Sequence, residues 1–224
     1  MTIGEGHGWI GSWSPGIGDP TVVGWVTVVG YLVASGLCWR QFRRLDETDG
    51  GGQRAGGRST PGTAVSAIAR ALVTTRGRLR ALPAHERLRA LWLGLAVVLL
   101  LLGINKQLDL QTIVTELGRI AAKAHGWYGS RRPVQLVFIL LVALVGLGVF
   151  RAVLLLAEGE LRSMRVVLLG TLFLVCFVTI RAASFHHIDR LLGTDIGGFR
   201  MNWIIEIGGI LLIIVGAARA RPRS

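Results

Sequence analysis

Five apolar runs, separated by polar, basic or glycine-rich stretches, set the pattern of this chain. They cover residues 21–39, 88–105, 133–157, 166–187 and 201–218. Each is close to the roughly 20 residues that a helix needs to cross a bilayer core. The pattern predicts an all-α fold: a polytopic membrane bundle of five transmembrane helices with one or two amphipathic surface helices. The second run is short in strictly apolar residues, so its helix is expected to continue into Asn105-Lys106-Gln107-Leu108-Asp109. Pro133 suits the first turn of the third span.

The stretches between the runs differ in kind. Residues 1–20 form an extracytoplasmic N-terminal segment with Trp9 and Trp13 suited to a membrane interface, and Asp19-Pro20 reads as a helix start. Residues 40–87, rich in Gly, Ser, Thr and Arg, read as a basic and largely disordered linker. Within it, a surface helix is expected over 66–82, where Ile68, Leu72 and Leu79 share a side. In 106–132, Leu110, Ile113, Val114, Leu117 and Ile120 recur at helical spacing opposite Thr112, Glu116 and Arg119, which predicts a helix lying flat on the membrane. Residues 158–165 make a tight return, 188–200 a loop with three glycines, and 219–224 a basic tail.

Composition narrows the class. Half of the chain (51%) is hydrophobic and only 17% is charged, which excludes an ordinary soluble domain. The net charge of +12 comes from 23 Arg and 2 Lys placed in loops beside apolar runs, with no nucleic-acid recognition motif. That placement points to topology and to anionic lipid headgroups as partners, with a further membrane protein as a candidate partner and no nucleic acid. With the N-terminus outside, the inner segments (40–89, 158–165, 219–224) hold 16 basic residues and the outer ones (1–20, 105–132, 184–200) hold 7. This favours N-out and C-in, in a bacterial cytoplasmic (inner) membrane. Cys38 and Cys176 lie within apolar runs without CxxC spacing and read as small apolar residues. No cleaved signal peptide is expected at the N-terminus.

Candidate chemistry collects at the outer ends of three spans. Asn105 and Asp109 are four residues apart, as are Asn202 and Glu206; Ser184 and His187 are three apart, as are His186 and Asp189. Those spacings place each pair on one helix face. Glu206 is the sharpest, because an ionisable group inside a span normally has a partner or a task. Its plainest reading is a register-setting ion pair with Arg181; the functional one is a carboxylate that handles protons or ligands. His186 and His187 point about 100° apart on a helix. A metal would therefore take one of them with Asp189, Asp109 and Glu206, a mixed N/O set suited to a divalent ion such as Zn. Haem between two spans is excluded by the lack of His on a second span. Lys106 with its flanking amides reads as a polar cap or as an anion site.

The motifs Gly18-Asp19-Pro20-Thr21, Asn105-Lys106-Gln107-Leu108-Asp109-Leu110-Gln111 and Ser184-Phe185-His186-His187-Ile188-Asp189 resemble those of a group of uncharacterised bacterial multi-span inner-membrane proteins. The resemblance covers the spans and implies a location, not an activity. The Ser, His and Asp content is also faintly similar to the intramembrane hydrolases of the alkaline ceramidase and adiponectin receptor type, which have seven spans and a three-His zinc site. The sequence thus leaves two classes: a non-enzymatic ligand- or ion-handling bundle or accessory subunit with an extracytoplasmic polar pocket, and a metal-dependent membrane-embedded hydrolase.

Overall fold

The computed structural model describes residues 21–50, 65, 82–108, 120, 131–183, 195–196 and 199–220. Their long elements are α1 (Val22–Gly50), α2 (Ala84–Leu108), α3 (Arg131–Leu156), α4 (Leu161–Ala183) and α5 (Met201–Arg219). The strands β1 (Asp195–Ile196) and β2 (Phe199–Arg200) form a small antiparallel bridge, Asp195 opposite Arg200, that leads directly into α5. Helices α1 to α4 are long and apolar enough to cross a membrane. The chain is therefore an all-α, multi-pass integral membrane protein. Most of the segments expected as surface helices, 66–82 and 106–132, lie outside the described residues.

Helix α1 shows how the sequence sorts its faces. Gly24, Thr27, Val28, Tyr31, Ala34, Cys38, Gln41 and Phe42 are buried at intervals of three or four, whereas Val22, Trp25, Val26, Val29, Leu32 and Val33 are exposed. The exposed face is as apolar as the buried one, as a lipid-facing surface requires. The Thr21 hydroxyl accepts from the Gly24 amide at 3.1 Å and caps the helix start. The helix passes Trp39, the expected end of the first span, and continues to Gly50. Contacts on this extension include Gln41 Nε2, which donates to the carbonyls of Ala217 and Ala220 (2.7 and 3.2 Å), and Arg89, which bonds Asp46 at 2.6 Å.

In space the helices follow the order α2, α1, α5, α4, α3, so the last helix of the chain sits between the first and the fourth. α2 and α3, at the two ends of this arc, meet only lightly. Helix contacts rely on small residues, which allow close van der Waals approach where lipid offers no hydrophobic driving force. A Cβ on Gly103 would meet Tyr31 Cβ at 3.1 Å, one on Gly30 would meet Ile210 Cγ2 at 3.1 Å, and one on Gly216 would meet Val167 Cγ2 at 2.5 Å. Polar side chains inside the spans find local partners: Thr27, Thr171 and Thr179 donate to carbonyls one turn back, and Ser35 donates across to Ala96 O at 2.8 Å. Between α3 and α4 the chain reverses at Gly159, whose φ of 94° is a left-handed value that glycine adopts without strain.

Candidate functional site

Three helices bring one acid, one base and one phenol together near the ends at which α1 and α5 begin and α2 finishes. Glu206 is 1% exposed; its Oε2 accepts from Lys106 Nζ at 3.0 Å and its Oε1 accepts from Tyr31 Oη at 3.3 Å. Tyr31 is likewise 1% exposed, and the Lys106 side chain is 14% exposed. Helix direction explains how they meet. Side chains on a helix lean toward its N-terminus. α1 and α5 run in parallel, so Tyr31 and Glu206 lean toward the end where those helices start. α2 runs the other way, so Lys106, two residues before its end, leans inward onto the carboxylate. Glu206 lies about 7.5 Å along α5 from its start. Gly103, one turn below Lys106, makes room for Tyr31.

Around this triad the structure adds three polar groups. The amide of Gln107 is buried, with neither Nε2 nor Oε1 bonded. Asn105 is half-buried on the same end of α2. Arg181 of α4 is exposed and lies close enough to Tyr31 to act on its hydroxyl electrostatically. Of the residues singled out by spacing, Asn105, Arg181 and Glu206 are thus placed at one end of the bundle. Asp109, Ser184, His186, His187 and Asp189 lie outside the described residues, as does the side chain of Asn202.

The cation in contact with Glu206 is Lys106, a residue that the sequence pattern assigned to a polar cap or an anion site, in the place proposed for Arg181. Tyr31 was not flagged at all. Its signal was present: a phenol in the middle of an apolar run needs a hydrogen-bond partner when buried, and it shares a helix face with Thr27, Ala34 and Cys38.

The geometry constrains the chemistry. Both carboxylate oxygens of Glu206 are engaged by donors, so a metal ion here would have to displace the ammonium of Lys106. Among the described residues, no group of three His, Cys, Asp or Glu side chains is placed to hold a metal. Among the described side chains, the cluster joins one negative and one positive charge by hydrogen bonds, with Glu206 deep enough that its charge alone would be costly.

A second buried charge sits at the opposite end. Arg89, 1% exposed, bonds the half-exposed Asp46 and lies 5.3 Å from the ring centroid of Phe42, a cation–π contact. With Gln41 on the end of α5, it clamps the two partners of α1 together.

Comparison with protein-family models, with curated proteins and with solved structures finds no match to this chain.

Proposed function

We propose that this protein is a non-enzymatic, ion-handling bundle of five membrane spans in a bacterial cytoplasmic membrane, with its N-terminus outside and its working site at the extracytoplasmic end. The observation that carries the reading is Glu206: a 1%-exposed carboxylate inside a span, joined to Lys106 and Tyr31 from two other helices. An ionisable residue inside a span costs roughly 2.5–3.5 kcal/mol on insertion scales, and such residues, besides pairing with one another, mark ion and proton paths.

Five spans are supported by the setting of α5. It is 19 residues long, about 28 Å at the helical rise, and it packs between two helices that are themselves long and apolar enough to cross. The excess of Arg in the segments joined to the start of α2 and the ends of α1 and α5 supports the orientation. Exposed Arg40, Arg162, Arg165 and Arg219 all stand at that end, where anionic lipid headgroups are the fitting partner.

The test is charge movement. Protein reconstituted in liposomes on a supported membrane should give a transient current on a jump in pH or salt, and Glu206→Gln should abolish it while Arg162→Gln leaves it intact. No current from the wild-type chain under any ion jump would overturn the reading.

A further inference from the structure

We propose that the end of the bundle where α1 and α5 finish and α4 begins seats anionic phospholipids on Arg40, Arg165 and Arg219, one from each of these neighbouring helices. This rests on the reading of that end as a headgroup surface and does not involve the Glu206 triad.

The three arginines share one depth. Gln41 bonds the carbonyls of Ala217 and Ala220, which puts Arg40 level with the last turn of α5, where Arg219 stands. A Cβ on Gly216 would meet Val167, so Arg165, two residues before Val167 on the oppositely directed α4, is level with that turn as well. The three thus lie within about one helical turn of one another along the bundle. Trp39, half-exposed beside Arg40, suits the same interfacial layer.

Each arginine stands above an apolar stripe of its own helix. On α5, Val215 and Leu211 precede Arg219 at steps of four. On α4, Leu169 and Phe173 follow Arg165 at the same step, and on α1, Gly36 and Leu32 precede Arg40. Residues four apart share a helix face, and all six stripe residues are exposed, as are the three arginines. Each face therefore offers a cation at the rim and apolar surface directly below it. A phospholipid has the matching order, phosphate above acyl chain. Free phosphate and an acidic protein segment would leave the stripes unused.

The anion has to come from outside the chain. Residues 40–89, 158–165 and 219–224 hold sixteen arginines, no lysine and six carboxylates, so that pairing every carboxylate with one arginine leaves ten. One of the six, Asp46, is already held by Arg89. The tail beyond α5 adds Arg221 and Arg223 and no acid. Among the described residues, no ion pair joins Arg40, Arg165 or Arg219 to a carboxylate. A guanidinium presents its donors as a planar fork that takes two phosphate oxygens together.

The experiment counts lipids on the full chain. Protein in a neutral detergent is titrated with phosphatidylglycerol or with phosphatidylcholine of the same acyl chains, and bound lipid is read by native mass spectrometry. The wild type should prefer phosphatidylglycerol, and each of Arg40→Gln, Arg165→Gln and Arg219→Gln should lower that preference about fivefold. Equal binding of the two lipids by the wild type, or an unchanged preference in the triple variant, overturns the proposal. A second measurement needs no variant. Excess glycerol 3-phosphate or polyglutamate should leave phosphatidylglycerol bound to the wild type; displacement by either overturns the assignment to lipid. If lipid preference is absent while charge movement persists in liposomes, the lipid seats fail and the ion-handling reading stands.

Discussion

Gly170 and Gly209 bring the backbones of α4 and α5 into contact. A Cβ on Gly170 would lie 2.8 Å from the carbonyl oxygen of Gly209, and one on Gly209 would lie 3.1 Å from that of Gly170. Neither neighbour is a flexible side-chain end, so neither can yield. Gly170→Ala should therefore destabilise the bundle by about 1–3 kcal/mol, the usual cost of overpacking. Gly36→Ala is the control: nothing lies within 4 Å of its Cβ position, and removing a helical glycine should gain up to ~1 kcal/mol. Reversible unfolding in mixed micelles measures both.

Tyr31→Phe keeps the ring and removes one donor from a buried carboxylate. The expected loss is about 1–3 kcal/mol, that of leaving a charged acceptor short of a bond, and more than the ~0.6 kcal/mol average of neutral bonds between membrane helices. A double-mutant cycle with Glu206→Gln isolates the interaction; a coupling near zero would mean that the hydroxyl does not serve the carboxylate.

Arg89 and Asp46 should respond unequally. The arginine is 1% exposed and the aspartate 45%. Asp46→Ala takes a charged acceptor away from a buried cation and should cost about 1–3 kcal/mol, whereas Arg89→Met leaves an anion that water can reach and keeps an apolar chain against Phe42. The prediction is that Asp46→Ala unfolds at clearly lower denaturant than Arg89→Met. The reverse order would show that Asp46 contributes less to holding Arg89 than the other contacts of that side chain do.

Gln107→Leu should stabilise the protein. The substitution removes two buried polar atoms that have no partner and keeps nearly the same volume, for an expected gain of about 1–3 kcal/mol. A loss of similar size would reveal a hydrogen bond made by this amide in the folded state.

Much of the architecture was legible in the chain. The apolar runs placed all five long helices, because a bilayer imposes length and polarity on each segment independently of its neighbours. Helix ends were less readable. α1 runs on to Gly50 because Phe42 is buried and Asp46 meets Arg89, contacts invisible in a segment that looks like basic linker. α4 begins at Leu161, within the expected turn, because Glu160 accepts the Met164 amide and the Ser163 hydroxyl and so starts the helix early. Glu206 was found because a charge in a span stands out by itself. Its partners were not, because spacing relates residues on one helix and says nothing about which helices are neighbours. Lys106 and Tyr31 meet Glu206 only because α5 lies against α1 and α1 against α2.

That placement of α5 also bears on assembly. As the chain leaves the ribosome, α1 with α2 and α3 with α4 emerge as two separate hairpins that touch weakly through α2 and α3. Gly30 and Gly170, whose close contacts are with α5, are left facing lipid until the last helix arrives. The final span is thus a wedge inserted between two finished halves, and it brings the only acid of the triad with it. A nascent protein that stops short of α5 would lack the helix that joins its two halves, and Lys106 would lack the carboxylate of Glu206.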